Sequence, residues 1–120
     1  MSTRDYFYTD IEKATLENPH YRHVLYTVPK NMQLVLMSLK PLEEIGREVH
    51  PSTTQFIRIE KGFGIAEIDG DIIPLKDGAC VIVPPGKYHN IKNLSFDSSM
   101  KLYTIYTPPE HKDGLVERSK

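Results

Sequence analysis

Two histidines stand where the chain has arranged the backbone around them. His89 follows the run Gly78-Ala-Cys-Val-Ile-Val-Pro84-Pro-Gly86-Lys-Tyr, and His50 follows Gly46-Arg-Glu-Val. A neutral imidazole can ligate a transition metal or move a proton, and the partner of its other ring nitrogen decides which nitrogen is available. Pro84 fixes φ and Gly86 tolerates positive φ, so Pro84–Gly86 reverses the chain sharply and His89 begins the return strand. Alternation then sends His89 to the opposite face from Tyr88 and Asn90. Glu48 lies two residues before His50, so on a regular strand the two side chains share a face. The other histidines are less well placed. His20 and His23 lie beyond Pro19 and read as surface residues, and His111 follows Pro108-Pro109 in a charged tail that either arches over the domain or frays.

The elements that must position these groups are short strands separated by turn signals. The apolar segments are Arg22–Val28, Met32–Lys40, Ile45–His50, Gln55–Lys61, Gly64–Asp69, Ile72–Leu75, Ala79–Val83, Tyr88–Asn93 and Met100–Thr107. Pro29-Lys30-Asn31 is a hairpin turn, and Asp69-Gly70 between apolar runs signals a type I′ hairpin. Near-regular strand spacing predicts an all-β fold, an antiparallel sandwich or barrel. One short helix is expected over Asp10–Glu17, with Thr9 and Glu12 as its capping box and Pro19 beyond its end. The division is an N-terminal arm with that helix (1–20), a barrel (21–107) and a C-terminal tail (108–120).

The 120 residues suit one domain with one core, and the net charge of −1 comes from interspersed acids and bases. No basic stripe points to nucleic acid, no apolar run nears the ~20 residues of a membrane span, and the polar start Met1–Asp5 is not a signal peptide. A cytoplasmic protein is expected. The single Cys80 lies in an apolar strand and reads as a small core residue. Arg58 and Glu60 alternate with Ile57 and Ile59 and form a solvated or interface face. Tyr103 shares a face with Ile105, and Tyr106 shares the other with Leu102 and Thr104, so one tyrosine borders the interior and the other packs outward. Lys87 and Tyr88 cap a loop.

The segment Gly78–Asn93 resembles the second motif of the cupin superfamily, G(x)5PxG(x)2H(x)3N, at every fixed position. The first motif, approximately G(x)5HxH(x)3,4E(x)6G, is matched less closely by Gly46–Gly62. In that alignment His50 takes the first histidine's place, Ser52 the second's, and Gln55 the glutamate's, with Gly62 closing the motif. The flanking strands are similar to small single-domain cupins labelled mannose-6-phosphate isomerase-like. The resemblance implies a jelly-roll β-barrel, a homodimer, and a divalent transition metal (Zn, Fe, Mn or Ni) held by His50, Gln55 and His89. Gln55 and Ser52 are neutral, so Glu48 is the one nearby carboxylate that can supply an anion.

Three functions follow. The first is a metal-dependent enzyme with isomerase-like or lyase-like chemistry on a small polar metabolite, Tyr103, Tyr106 and Glu48 being the candidate proton-transfer residues. The second is a non-catalytic binding protein with a decayed metal set. The third is an iron-dependent dioxygenase.

Overall fold

Alternation decides the architecture. In β3 (Thr54–Lys61), Gln55, Ile57 and Ile59 are buried while Phe56, Arg58 and Glu60 are not, which is the pattern of a strand with one face on a core. The computed structural model describes residues 6–120 and shows nine strands and one helix among them; the polar start at Met1–Asp5 lies outside the described residues. The remaining elements are α1 (Ile11–Glu17), β1 (Arg22–Val28), β2 (Met32–Leu39), β4 (Gly64–Ile68), β5 (Asp71–Leu75), β6 (Cys80–Val83), β7 (His89–Asn93), β8 (Met100–Thr107) and β9 (Val116–Glu117). A six-stranded antiparallel sheet has the order β6-β3-β8-β2-β1-β9, and a three-stranded one the order β5-β4-β7. The two sheets close as a jelly-roll barrel over Val35, Met37, Leu39, Ile57, Ile59 and Leu102 from the larger sheet and Ala66, Leu75 and Ile91 from the smaller. No helix among the described residues is long and apolar enough to cross a membrane.

The turns form as their residues dictate. Asp69 (φ 46) and Gly70 (φ 90) both take the left-handed conformation of a type I′ hairpin. Gly86 (φ 83) completes the Pro84–Gly86 reversal, and its N–H donates to the His50 carbonyl at 2.9 Å. Tyr88 and Lys87 cap this end: Asp69 accepts from the Tyr88 N–H at 2.9 Å and lies 3.4 Å from the Lys87 amine. Asn93, the asparagine of the second motif, is 1% exposed and donates to the carbonyls of Leu39, Lys40 and Ser98.

Three expectations are corrected. The helix is capped by Asp10 rather than Thr9; its carboxylate accepts from the Lys13 N–H at 3.1 Å, so the helix starts one position later. Ile45–His50 is not a continuous strand. Its backbone meets β7 at the isolated bridge Glu48↔His89, with a second bridge just before it at Glu44↔Lys92, because Gly46 (φ 107) interrupts the extended backbone. The amide of Asn90 fills the gap, accepting from the Gly46 N–H and donating to Glu44, both at 2.8 Å. Cys80 is exposed, since β6 is an edge strand whose Cys80 and Ile82 point outward. Asn90 is buried beside His89, although the two point to opposite faces, because the 44–48 segment covers it.

The tail is ordered. Its strand β9 pairs with β1, and Leu115 packs on the core while its carbonyl accepts from the Val24 N–H at 2.8 Å.

Candidate metal centre

The site lies at one end of the barrel, where polar residues replace the core. Gln33, Tyr106 and Gln55 are directly opposite one another across β2, β8 and β3 and are 0%, 2% and 2% exposed. The smaller sheet contributes His89, and the irregular segment before β3 contributes Glu48 and His50. Glu48 and His89 form a mutually hydrogen-bonded antiparallel pair (2.8 and 2.9 Å), which puts their side chains on one face. His50, two residues on, joins them, with its ring centroid 5.2 Å from that of His89.

The two rings have different neighbours at Nδ1. The His89 Nδ1 lies 2.9 Å from the Lys87 carbonyl oxygen, which can only accept, so Nδ1 carries the hydrogen and Nε2 is bare. The His50 Nδ1 lies 3.3 Å from a carboxylate oxygen of Glu110, with its Nε2 on the side of Glu48 and His89. Both Nε2 atoms are buried without a hydrogen-bond partner. They converge on one oxygen, Oε1 of Glu48, at 3.8 Å from His50 and 3.9 Å from His89, too far for hydrogen bonds. The three ligand atoms all lie within 4.8 Å of one another. Two ligands each ~2.1 Å from one ion can be at most about 4.2 Å apart, so the Glu48 distances suit a shared transition metal. Two imidazole nitrogens without hydrogen-bond partners and a carboxylate oxygen facing each other form a donor set that fits a transition metal.

Gln55 and Tyr106 form the wall behind this group. The Gln55 amide nitrogen donates to Thr104 Oγ1 at 3.0 Å and to Tyr106 Oη at 3.2 Å, leaving Oε1 buried and unpaired. Burial, reinforced by the Glu48 charge, pushes the Tyr106 phenol up, so it stays protonated. Its ring meets His50 edge-on at 5.7 Å. Tyr103 faces the other way, stacked on Phe56 outside the sheet at 6.0 Å, and takes no part in the pocket. Arg58 and Glu60 pair on that same outer face at 3.2 Å.

The geometry re-registers the first motif. Ser52 is exposed, and the pair separated by one residue is Glu48 with His50. With Glu48 in the first histidine's place, four residues separate His50 from Gln55 and six separate Gln55 from Gly62, the ordinary spacing. Leu42 then stands at the opening glycine, and its φ of 64 is a glycine-like conformation. The spacing was the signal for this register; reading the motif's first position as a histidine obscured it.

Sequence reasoning underrated His111 and passed over Gln33 and Glu110. His111 packs its ring edge-on to Tyr106 at 5.0 Å, with Nε2 buried and unpaired, and burial aided by the Arg22 charge brings its pKa down to about 4. The Gln33 amide donates to the His111 carbonyl at 2.7 Å and accepts from the N–H groups of His111 and Glu110 at 2.9 and 3.2 Å. A glutamine on the inward parity of the apolar strand Met32–Leu39 was the available signal.

Comparison with known proteins agrees with this picture. The cupin-domain family profile matches residues 35–106. An uncharacterized protein, L612, of Acanthamoeba polyphaga mimivirus is 44% identical over 115 residues, covering 92% of this chain and 71% of that protein. The uncharacterized YrkC of Bacillus subtilis is 39% identical over 120 residues, covering 95% of this chain, which spans only 63% of the relative's length. The crystal structure of BH2720 from Bacillus halodurans superposes with a TM-score of 0.91 at 33% identity, covering 98% of this chain and 91% of that one. Motif spacing, barrel topology and these relatives converge, and the chain belongs to the cupin-domain family.

Proposed function

We propose that this protein binds a divalent transition metal through Glu48, His50 and His89, with the Gln55 amide oxygen as a further donor, and acts on a small polar metabolite at that ion. The observation that carries the reading is the pair of buried Nε2 atoms without hydrogen-bond partners, both near one carboxylate oxygen. A bound divalent ion supplies Lewis acidity toward a substrate carbonyl or hydroxyl. The chain's own residues do the rest. The Lys87 carbonyl orients the His89 imidazole, the Glu110 carboxylate stands beside that of His50, and the buried Tyr106 hydroxyl, kept protonated, can donate a hydrogen bond to a substrate oxygen. Isomerase-like or lyase-like chemistry on a small polar metabolite, such as a sugar phosphate, fits these parts.

The donor set favours a second reading. Two histidines and one carboxylate are the set used by non-haem iron oxygenases, and Glu48 provides the carboxylate that Gln55 cannot. Elemental analysis of protein purified without chelators separates the readings. One equivalent of zinc, manganese or nickel supports the isomerase-like or lyase-like proposal, and one equivalent of iron with substrate-dependent oxygen uptake supports the oxygenase. His89→Ala should abolish stoichiometric metal uptake. A wild-type protein that takes up no divalent metal refutes both and leaves a non-catalytic binding pocket.

A further inference from the structure

The C-terminal arm reaches the metal group through one side chain. Glu110 comes from the charged tail, sixty residues after His50, yet its side chain turns inward far enough to place a carboxylate oxygen 3.3 Å from His50 Nδ1. It is held from both sides. Its own N–H and the N–H of His111 donate to the buried Gln33 amide, and the next ring, His111, is lodged against Tyr106. Beyond it, Glu117 pairs with Arg22, and the Lys120 amine donates to the Glu44 carbonyl at 2.6 Å.

The two imidazoles of the group are therefore oriented differently. The His89 Nδ1 has a backbone carbonyl that follows automatically from the Pro84–Gly86 turn. The Nδ1 of His50 has no backbone acceptor, and the group beside it is Glu110. A ring nitrogen facing a carboxylate keeps its hydrogen there, which leaves the opposite nitrogen free to ligate and makes it more basic.

We infer that Glu110 is the positioning residue of the metal centre, holding His50 in the Nδ1–H tautomer with Nε2 turned toward Glu48 and His89, and that the arm is thereby a working part of the site. The inference rests on the metal reading for its consequence, but its premise is a property of the metal-free protein. Metal-free protein labelled with 15N answers it by long-range 1H–15N correlation of the histidine rings. Wild-type His50 should show a protonated Nδ1 and a bare Nε2. Glu110→Ala should move the proton to Nε2, whereas Glu110→Gln, which keeps an oxygen acceptor, should keep the tautomer and lose only the charge. In zinc competition titrations Glu110→Ala should bind about 10- to 100-fold more weakly and Glu110→Gln less severely so. Glu67→Gln, which removes a carboxylate paired with Lys92 away from the metal group, should leave zinc affinity unchanged.

A His50 protonated at Nε2 in the wild type, or an unaltered tautomer in Glu110→Ala, overturns the inference. So does zinc affinity within twofold of wild type in both Glu110 variants. Should the wild type take up no zinc, the metal proposal falls, while the tautomer measurement still decides the role of Glu110.

Discussion

The rim and the arm both bring titratable groups to the same end of the barrel, and both rely on a buried amide where the regular ladder fails. On the rim, Asn90 bonds the Gly46 N–H and the Glu44 carboxylate, tying the broken 44–48 segment to β7. On the arm, Gln33 bonds the backbone of Glu110 and His111. The rim has reserves. The Glu48 and His89 backbones exchange two hydrogen bonds, and the Ile45 N–H donates to the Ile91 carbonyl at 3.0 Å. The arm next to the pocket has no such backbone ladder; β9 pairs with β1 only at its far end. The rim is thus a structure with redundant backbone bonds, whereas the stretch of the arm beside the pocket is tied down mainly by the Gln33 amide and the packing of His111 on Tyr106.

The largest effect expected from this contrast is on the arm. Gln33→Ala removes an amide that also donates to Thr27 Oγ1 and orphans the N–H groups and carbonyl it satisfied, costing about 1–3 kcal/mol. Amide hydrogen exchange should speed up around residues 109–112 ahead of the core strands, with zinc affinity falling as Glu110 swings free. Asn90→Ala should cost less than Gln33→Ala, because the Glu48–His89 bonds survive. If chemical denaturation shows the rim variant to be the more damaged of the two, the proposed redundancy is wrong.

A smaller effect tests the wall that both regions share. Gln55→Glu should tighten zinc binding, since a carboxylate interacts with a dication more strongly than an amide dipole does. The Thr104 and Tyr106 hydroxyls can rotate to donate to it, so the loss of the amide donors is partly repaired. The gain should fade at acid pH as the new carboxyl protonates. Unchanged zinc affinity together with a lowered Tm would show that Gln55 serves the packing of Tyr106 alone.

The smallest effect is a pH dependence of the arm. His111 is buried in the neutral form with a pKa of about 4, below its ordinary value near 6.5, so the unfolded chain binds the proton more readily. Stability from this residue is complete above pH 6.5 and declines as pH falls toward 4. The loss is on the order of 1 kcal/mol after discounting for solvent around the half-buried ring. His111→Gln should flatten the difference in Tm between pH 7.5 and pH 5, and an unchanged difference would assign it to other groups.

Much of the rim was legible because its determinants are neighbours in sequence. Asp69-Gly70 and Pro84–Gly86 specify their turns through φ alone, and the second of these delivers both His89 and the Lys87 carbonyl that orients it. The alternation of β8 by itself separates Tyr106 from Tyr103, and the inward and outward faces follow that division. The irregular stretch 44–50 was harder to place. Its apolar spacing resembles a strand, and only the fit of Gly46 against Asn90 breaks it.

What the sequence determined by itself was an antiparallel all-β fold, its anchoring turns and two histidines able to share a face with a carboxylate, because backbone preference and side-chain alternation act over a few residues; the jelly-roll form was implied by the motif resemblance. Tertiary structure decided the rest: that Glu48 rather than Ser52 accompanies His50, that Gln33 holds the arm, and that Glu110 meets the His50 ring. Those contacts join residues 33, 50 and 110, and no local rule ties such distant positions. They form because closing the barrel over its core brings three separate strands and a tail to one end, where each buried polar atom must find a partner.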